Sequence, residues 1–165
     1  MSIPGSASPL FFQTAAADAA AAGPIKSVRF NSADSTNLNR TFAAGNRQTF
    51  TLSWWMKRCV INESNRRIFG KSTGSNQFSI MHDSNGRLYT YFNLESPTDV
   101  STQTFDPQYR DPSAWAHYVL AFDTTQSTDS DRIKFYYNGV QVTNFNGTPN
   151  WPTQNASFKW NNASD

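Results

Sequence analysis

Residues 49–57 read Thr-Phe-Thr-Leu-Ser-Trp-Trp-Met-Lys, and no other stretch narrows the fold as far. Phe50, Leu52, Trp54 and Met56 fall on one side of an extended chain; Thr51, Ser53, Trp55 and Lys57 fall on the other. Side chains alternate across a pleated strand with a period of two, so the four large apolar groups form one inner face, whereas a helix would scatter them around its axis. The nearest match in weight is 114–123, where Trp115, His117, Val119 and Ala121 alternate with Ala116, Tyr118, Leu120 and Phe122. Both faces of that stretch are expected to be covered, which predicts a central strand.

Turn chemistry divides the remaining chain into strands of similar length. Residues 77–82 and 87–94 flank Asp-Ser-Asn-Gly at 83–86, a hairpin signal because Asn-Gly tolerates positive φ. Residues 133–137 and 140–143 flank Asn138-Gly139, the signature of a two-residue type I′ turn with Ile133, Phe135 and Tyr137 on one face. Shorter strands are predicted at 27–30, 38–42, 67–70 and 156–160, with an acidic Ser/Thr loop at 124–131. The core is aromatic, with 13 Phe, 6 Tyr and 5 Trp, and the polar residues are those of turns. Eight or nine strands without a convincing long helix predict an all-β, two-sheet antiparallel sandwich of the jelly-roll type.

Residues 1–25 differ in composition from the rest. Pro, Gly and Ser surround one apolar knot, Leu10, Phe11 and Phe12; Thr14 then precedes an alanine run at 15–22 that Gly23-Pro24 stops. Thr14 can cap a short Ala-rich helix there, although two turns of alanine are marginal alone. Two readings stay open: a disordered leader, or an extended arm that orders when Leu10, Phe11 and Phe12 dock on a partner. The expected division is thus an arm over 1–25 and a β domain over 26–165.

A formal net charge of +2 indicates neither a nucleic-acid surface nor a membrane face, and Lys57, Arg58, Arg66, Arg67 and Lys71 read as solvated edge and loop charges. Cys59 is the only cysteine, so an intrachain disulfide is excluded, and the thiol reads as packing rather than as a nucleophile. No charged leader with an apolar run opens the chain, so neither signal-peptide secretion nor membrane insertion is expected.

Several phrases taken together resemble the concanavalin A-like lectin/glucanase superfamily, and within it the laminin-G-like domains of tailed-bacteriophage virion proteins. They are Ser27-Val-Arg-Phe-Asn-Ser-Ala-Asp34, Asn46-Arg-Gln-Thr-Phe-Thr-Leu-Ser-Trp54 continuing to Lys57-Arg58, Arg110-Asp-Pro-Ser-Ala-Trp115, Asp123-Thr-Thr-Gln126, Asp131-Arg132 and Phe135-Tyr-Tyr-Asn-Gly139. Their order and spacing match over residues 27–160. The resemblance implies a concanavalin A-like jelly roll in a non-enzymatic virion protein, assembled in the host cytoplasm and joined to other virion proteins through its arm. A tail fibre or appendage that binds a host surface glycan is the first expectation, as a homo-oligomer; a purely structural capsid or tail decoration protein is the alternative, and a glycan hydrolase a distant one. Domains of this type usually continue past a segment like Phe158-Lys-Trp-Asn-Asn-Ala with a final strand beside the first, so the domain is expected to lack that strand here or to receive it from elsewhere.

The chemistry-bearing residues are few. Glycoside hydrolysis needs two carboxyl groups flanking one bond, and the two glutamates, Glu63 and Glu95, both fall in turn-like segments without the alternation of a catalytic strand. No catalytic residue is assigned. Asp123, Asp129 and Asp131 border one loop and make calcium conceivable, but their spacing fits no metal motif and a solvated acidic loop is the preferred reading. Sugar binding requires an exposed aromatic face with polar groups beside it. The candidates are Trp55, Tyr89 and Tyr91, on the non-core faces of their strands, and Trp151 in a loop.

Overall fold

The computed structural model describes residues 45–58, 66–73, 76–95 and 99–159. The arm with Leu10, Phe11 and Phe12, the strands expected at 27–30 and 38–42, Cys59 and Glu63 lie outside the described residues. Within them the chain runs β1 (Thr49–Met56), β2 (Arg66–Thr73), β3 (Asn76–His82), β4 (Arg87–Asn93), β5 (Val100–Gln108), β6 (Ala116–Asp123), β7 (Ile133–Tyr137) and β8 (Val140–Val142). Two four-stranded antiparallel sheets result, sheet I in the order β1-β6-β7-β8 and sheet II in the order β2-β3-β4-β5, as in a jelly-roll sandwich.

The two stretches with the strongest apolar alternation are hydrogen-bonded partners. β1 lies against β6 from Thr49↔Asp123 to Met56↔Ala116, which sets Phe50 on Phe122, Leu52 on Leu120 and Trp54 on Tyr118. These are cross-strand pairs on the inner face: the Phe50 and Phe122 rings stack at 4.4 Å, and Trp54 and Tyr118 at 5.4 Å. β6 is central, with β1 and β7 on either side. Its outer face is less covered than expected, since His117, Val119 and Ala121 are half-buried and Trp115 is 64% exposed.

Sheet II supplies Phe78, Ile80, Leu88, Phe92 and Phe105 to the shared core. Its fourth strand, β5, escapes an alternation reading because Ser101 and Gln103 point inward beside Phe105. These buried polar groups satisfy one another. Thr90 Oγ1 donates to Gln103 Oε1 at 2.7 Å, while Gln103 Nε2 donates to Ser101 Oγ at 2.9 Å and to the Asn150 carbonyl at 2.8 Å. The Asn150 carbonyl belongs to a segment that leaves β8 and runs along the edge of β5, bridging Phe105↔Phe145 and Thr102↔Asn150.

The strand expected at 156–160 shrinks to one bridge, Leu94↔Phe158. Phe158 is fully buried, with its ring edge-on to those of Phe50, Phe92 and Phe122. Its N–H donates to the Arg47 carbonyl and its carbonyl accepts from Arg47 Nε, while the flanking Ser157 carbonyl and Lys159 N–H bond Glu95 and Asn93, so the segment is held between the start of β1 and the end of β4.

The hairpins also differ from each other. At β7–β8, Asn138 (φ 49°) and Gly139 (φ 82°) both adopt the left-handed region, as a type I′ turn requires. At β3–β4 only Gly86 does (φ 79°); Gly86 N–H donates to the Asp83 carbonyl, and the Asp83 carboxylate accepts from the N–H groups of Asn85 and Arg87. That turn is therefore a type I turn followed by a glycine bulge, with the positive φ falling on Gly86 alone.

Candidate functional site

On the outer face of sheet II the side chains that point away from the core form two cross-strand rows. Arg67, Met81, Tyr89 and Thr104 make one; Gly70, Ser79, Tyr91 and Thr102 make the other. The second row has two small members side by side, Gly70 and Ser79, and the sheet surface dips there. Arg67, Gln77, Ser79, Met81, Tyr89 and Tyr91 line an open depression of about 350 Å³.

A bulge between Arg67 and Phe69 shapes its wall. The extra residue lets Ile68 pack on the core and Phe69 meet the Trp54 ring edge-on at 5.2 Å, while Arg67 stays on the outer face. The Arg67 stem then lies across Gly70, since a Cβ at position 70 would sit 2.0 Å from Arg67 Cδ. Burial, and secondarily the neighbouring Tyr91, hold the Tyr89 hydroxyl above its ordinary pKa, so it stays protonated and able to donate.

Of the four aromatic residues singled out from the sequence, Tyr89 and Tyr91 come together in this depression. Trp55 sits on the outer face of sheet I, 64% exposed and stacked on His117 at 4.9 Å, with Ser53 Oγ 2.8 Å from His117 Nε2. Trp151 packs half-buried against the core, edge-on to Phe145 at 5.3 Å. Sequence reasoning passed over Gln77, Ser79 and Met81 and read Arg67 as a solvated charge. The usable signal was that their alternation on β3 and β4 puts them on the same face as the two tyrosines.

The acidic residues are engaged elsewhere. Asp123 accepts from Thr125 N and Oγ1 and from Gln126 Nε2, and these bonds, that from the Thr125 hydroxyl foremost, draw its carboxyl below the usual range. Asp129 pairs with Arg132 at 2.6 Å, and Asp131 with Lys134 at 3.0 Å. The three carboxylates thus brace their own loop, whose middle is a short 3-10 turn at Asp129–Asp131, and among the described residues no three metal-ligating side chains converge. Glu95 pairs with Arg47.

The described residues thus form an antiparallel sandwich with an aromatic, hydrogen-bonding depression on one outer face. A family model of laminin-G type, described as the concanavalin A-like lectin/glucanases superfamily, matches residues 27–163, and the chain belongs to that superfamily. No curated protein and no solved structure matches the chain.

Proposed function

We propose that this domain is a non-enzymatic glycan-binding module whose site is the depression on sheet II. The observation that carries the reading is the pairing of Tyr89 and Tyr91 with Arg67, Gln77 and Ser79 around one recess. Apolar C–H faces of a pyranose stack on aromatic rings, while its hydroxyls need fixed hydrogen-bonding partners, and both are present. The lining contains no carboxylate among the described residues, whereas glycoside hydrolysis works between two. A glycan array tests the reading. Binding is expected to be lost in Tyr89→Ala and Tyr91→Ala and kept in Trp55→Ala; the reverse pattern would move the site to sheet I.

In this proposal the chain is a virion component of a tailed phage, most simply a tail fibre or appendage that attaches to a host glycan. It would be assembled in the host cytoplasm as a homo-oligomer and joined to other virion proteins through Leu10, Phe11 and Phe12. Support comes from the ordered phrases between Ser27 and Gly139 that resemble such proteins. The exposed Trp55 and Trp115 favour one second reading, a capsid or tail decoration protein whose sheet I packs on neighbouring subunits. An electron-microscopy map of the particle separates the two by where the chain lies and which face is free.

A further inference from the structure

We infer that the depression on sheet II selects an acidic saccharide, with the Arg67 guanidinium on the anionic substituent and the sugar ring against Tyr89 and Tyr91. The inference rests on the glycan-binding reading and adds the chemical class of the ligand.

Three other guanidinium groups of the domain have a carboxylate in reach, while Arg110 donates to the Asn85 carbonyl and Arg58 to the Tyr109 carbonyl. Arg47 holds Glu95, Arg132 holds Asp129, and Arg87, on the same outer face as the tyrosines, lies between Asp83 and Asp106. Arg67 has no carboxylate partner among the described residues, yet it lines the depression. Gln77, Ser79, Tyr89 and Tyr91 add neutral donors and acceptors there. Asp83 and Asp106 are both engaged by Arg87, and neither lines the depression, where Arg67 is the one charged side chain among the described residues.

Gly70 adds a positional argument. A Cβ at 70 would meet the Arg67 stem, so the glycine leaves room for that stem to lie across it towards the row that holds Tyr91. A planar guanidinium presents paired N–H groups to a carboxylate or a sulfate ester, a geometry that an ammonium lacks.

The test uses the full chain and two matched pairs of polymers: polygalacturonate with its methyl ester, and dextran sulfate with dextran. Each pair keeps the ring and changes the charge. A charge-assisted hydrogen bond to the anion corresponds to an affinity ratio of about tenfold or more in favour of the acid form of at least one pair. The ratio should fall towards one in Arg67→Gln, through a larger loss of affinity for the acid polymer than for the neutral one. Gly70→Ala should lower it too, although the charge is retained. Arg110→Gln, which removes an exposed charge outside the depression, should leave it intact. Equal affinity for acid and neutral forms overturns the inference while leaving the glycan-binding reading standing. Survival of the preference in Arg67→Gln, or its equal loss in Arg110→Gln, overturns it as well. Binding of none of the four polymers, with a blank glycan array, overturns both readings together. Thermal unfolding of each variant within a degree or two of wild type confirms that the site, not the fold, was altered.

Discussion

Sheet I and sheet II face the same core with opposite habits. On β1 and β6 the inward positions are uniformly apolar apart from the Tyr118 hydroxyl, and the outward ones mostly small or polar. On β4 and β5, Thr90, Ser101 and Gln103 point inward beside Leu88, Phe92 and Phe105, while Tyr89 and Tyr91 point outward. An inward polar residue costs free energy unless it is hydrogen-bonded, and an outward aromatic gains little from folding. Sheet II keeps both, and its outward aromatics are where the recess lies. Among these strands the inward polar cluster belongs to sheet II, while outward aromatics occur on both sheets, exposed at Trp55 on sheet I and gathered around a recess at Tyr89 and Tyr91 on sheet II.

The largest expected effect tests the first half of that contrast. Trp54→Ala removes a ring packed between Tyr118 and Phe69 and should cost about 3–5 kcal/mol in chemical denaturation, whereas Trp55→Ala, one residue away on the open face, should cost under about 1 kcal/mol. Similar losses at the two positions would break the assignment of faces on β1.

A second experiment uses acid. His82 is buried beside Arg58, Tyr109 and Tyr118, and burial first, then the Arg58 charge, lower its pKa to about 3. Because the unfolded chain binds this proton near pH 6.5 and the folded chain only near 3, stability is full above 6.5 and declines as pH falls through that window. The contribution approaches about 1.4 kcal/mol per pH unit at its steepest. In His82→Leu the decline between pH 6 and 4 should be shallower than in wild type; parallel curves would mean that the imidazole can reach solvent.

The inward polar cluster of sheet II should respond next. Gln103→Leu leaves Thr90 Oγ1 with only the long 3.4 Å bond to the backbone carbonyl of residue 103, while the Asn150 carbonyl keeps the Ser101 hydroxyl and the Thr102 N–H, and should cost about 1–3 kcal/mol, part of it recovered by adding Thr90→Val. Full additivity of the two changes would show that the cluster does not act as a unit. The smallest stability effect is expected at Tyr91→Ala, within about 1 kcal/mol of wild type by the same measurement, because the residue stands on the outer face. A larger loss there would mean that the tyrosine is retained for packing, and the contrast between the sheets would disappear.

How far the sequence could be read follows the same division. β1 and β6 are legible because Phe50, Leu52, Trp54, Tyr118, Leu120 and Phe122 obey a period of two, and β7–β8 because Asn138-Gly139 leaves few other turns open. β5 is illegible: Ser101 and Gln103 look solvent-facing until Thr90 and Asn150, distant in sequence, are placed beside them. Phe158 reads as part of a strand because nothing local shows that its backbone bonds go to Arg47. Two of the six residues lining the recess were readable, since Tyr89 and Tyr91 share a face by spacing alone. Arg67 was not, because the bulge that turns it outward and the glycine beneath its stem are tertiary facts.

The clasp between Arg47 and Phe158 has a consequence for how the domain comes into being. The two residues lie 111 positions apart, so the ring that completes one end of the interior is among the last described groups to leave the ribosome. Until it arrives, Phe50, Phe92 and Phe122 have no cover on that side, and the strands already synthesised can form at most an unfinished sandwich. Closing a loop of this length has a modest entropic cost, growing only with the logarithm of its length, but it must be met before the contacts that reward it exist. The domain should therefore complete its core only once residue 158 has been made, in the millisecond-to-second range of non-local β topologies.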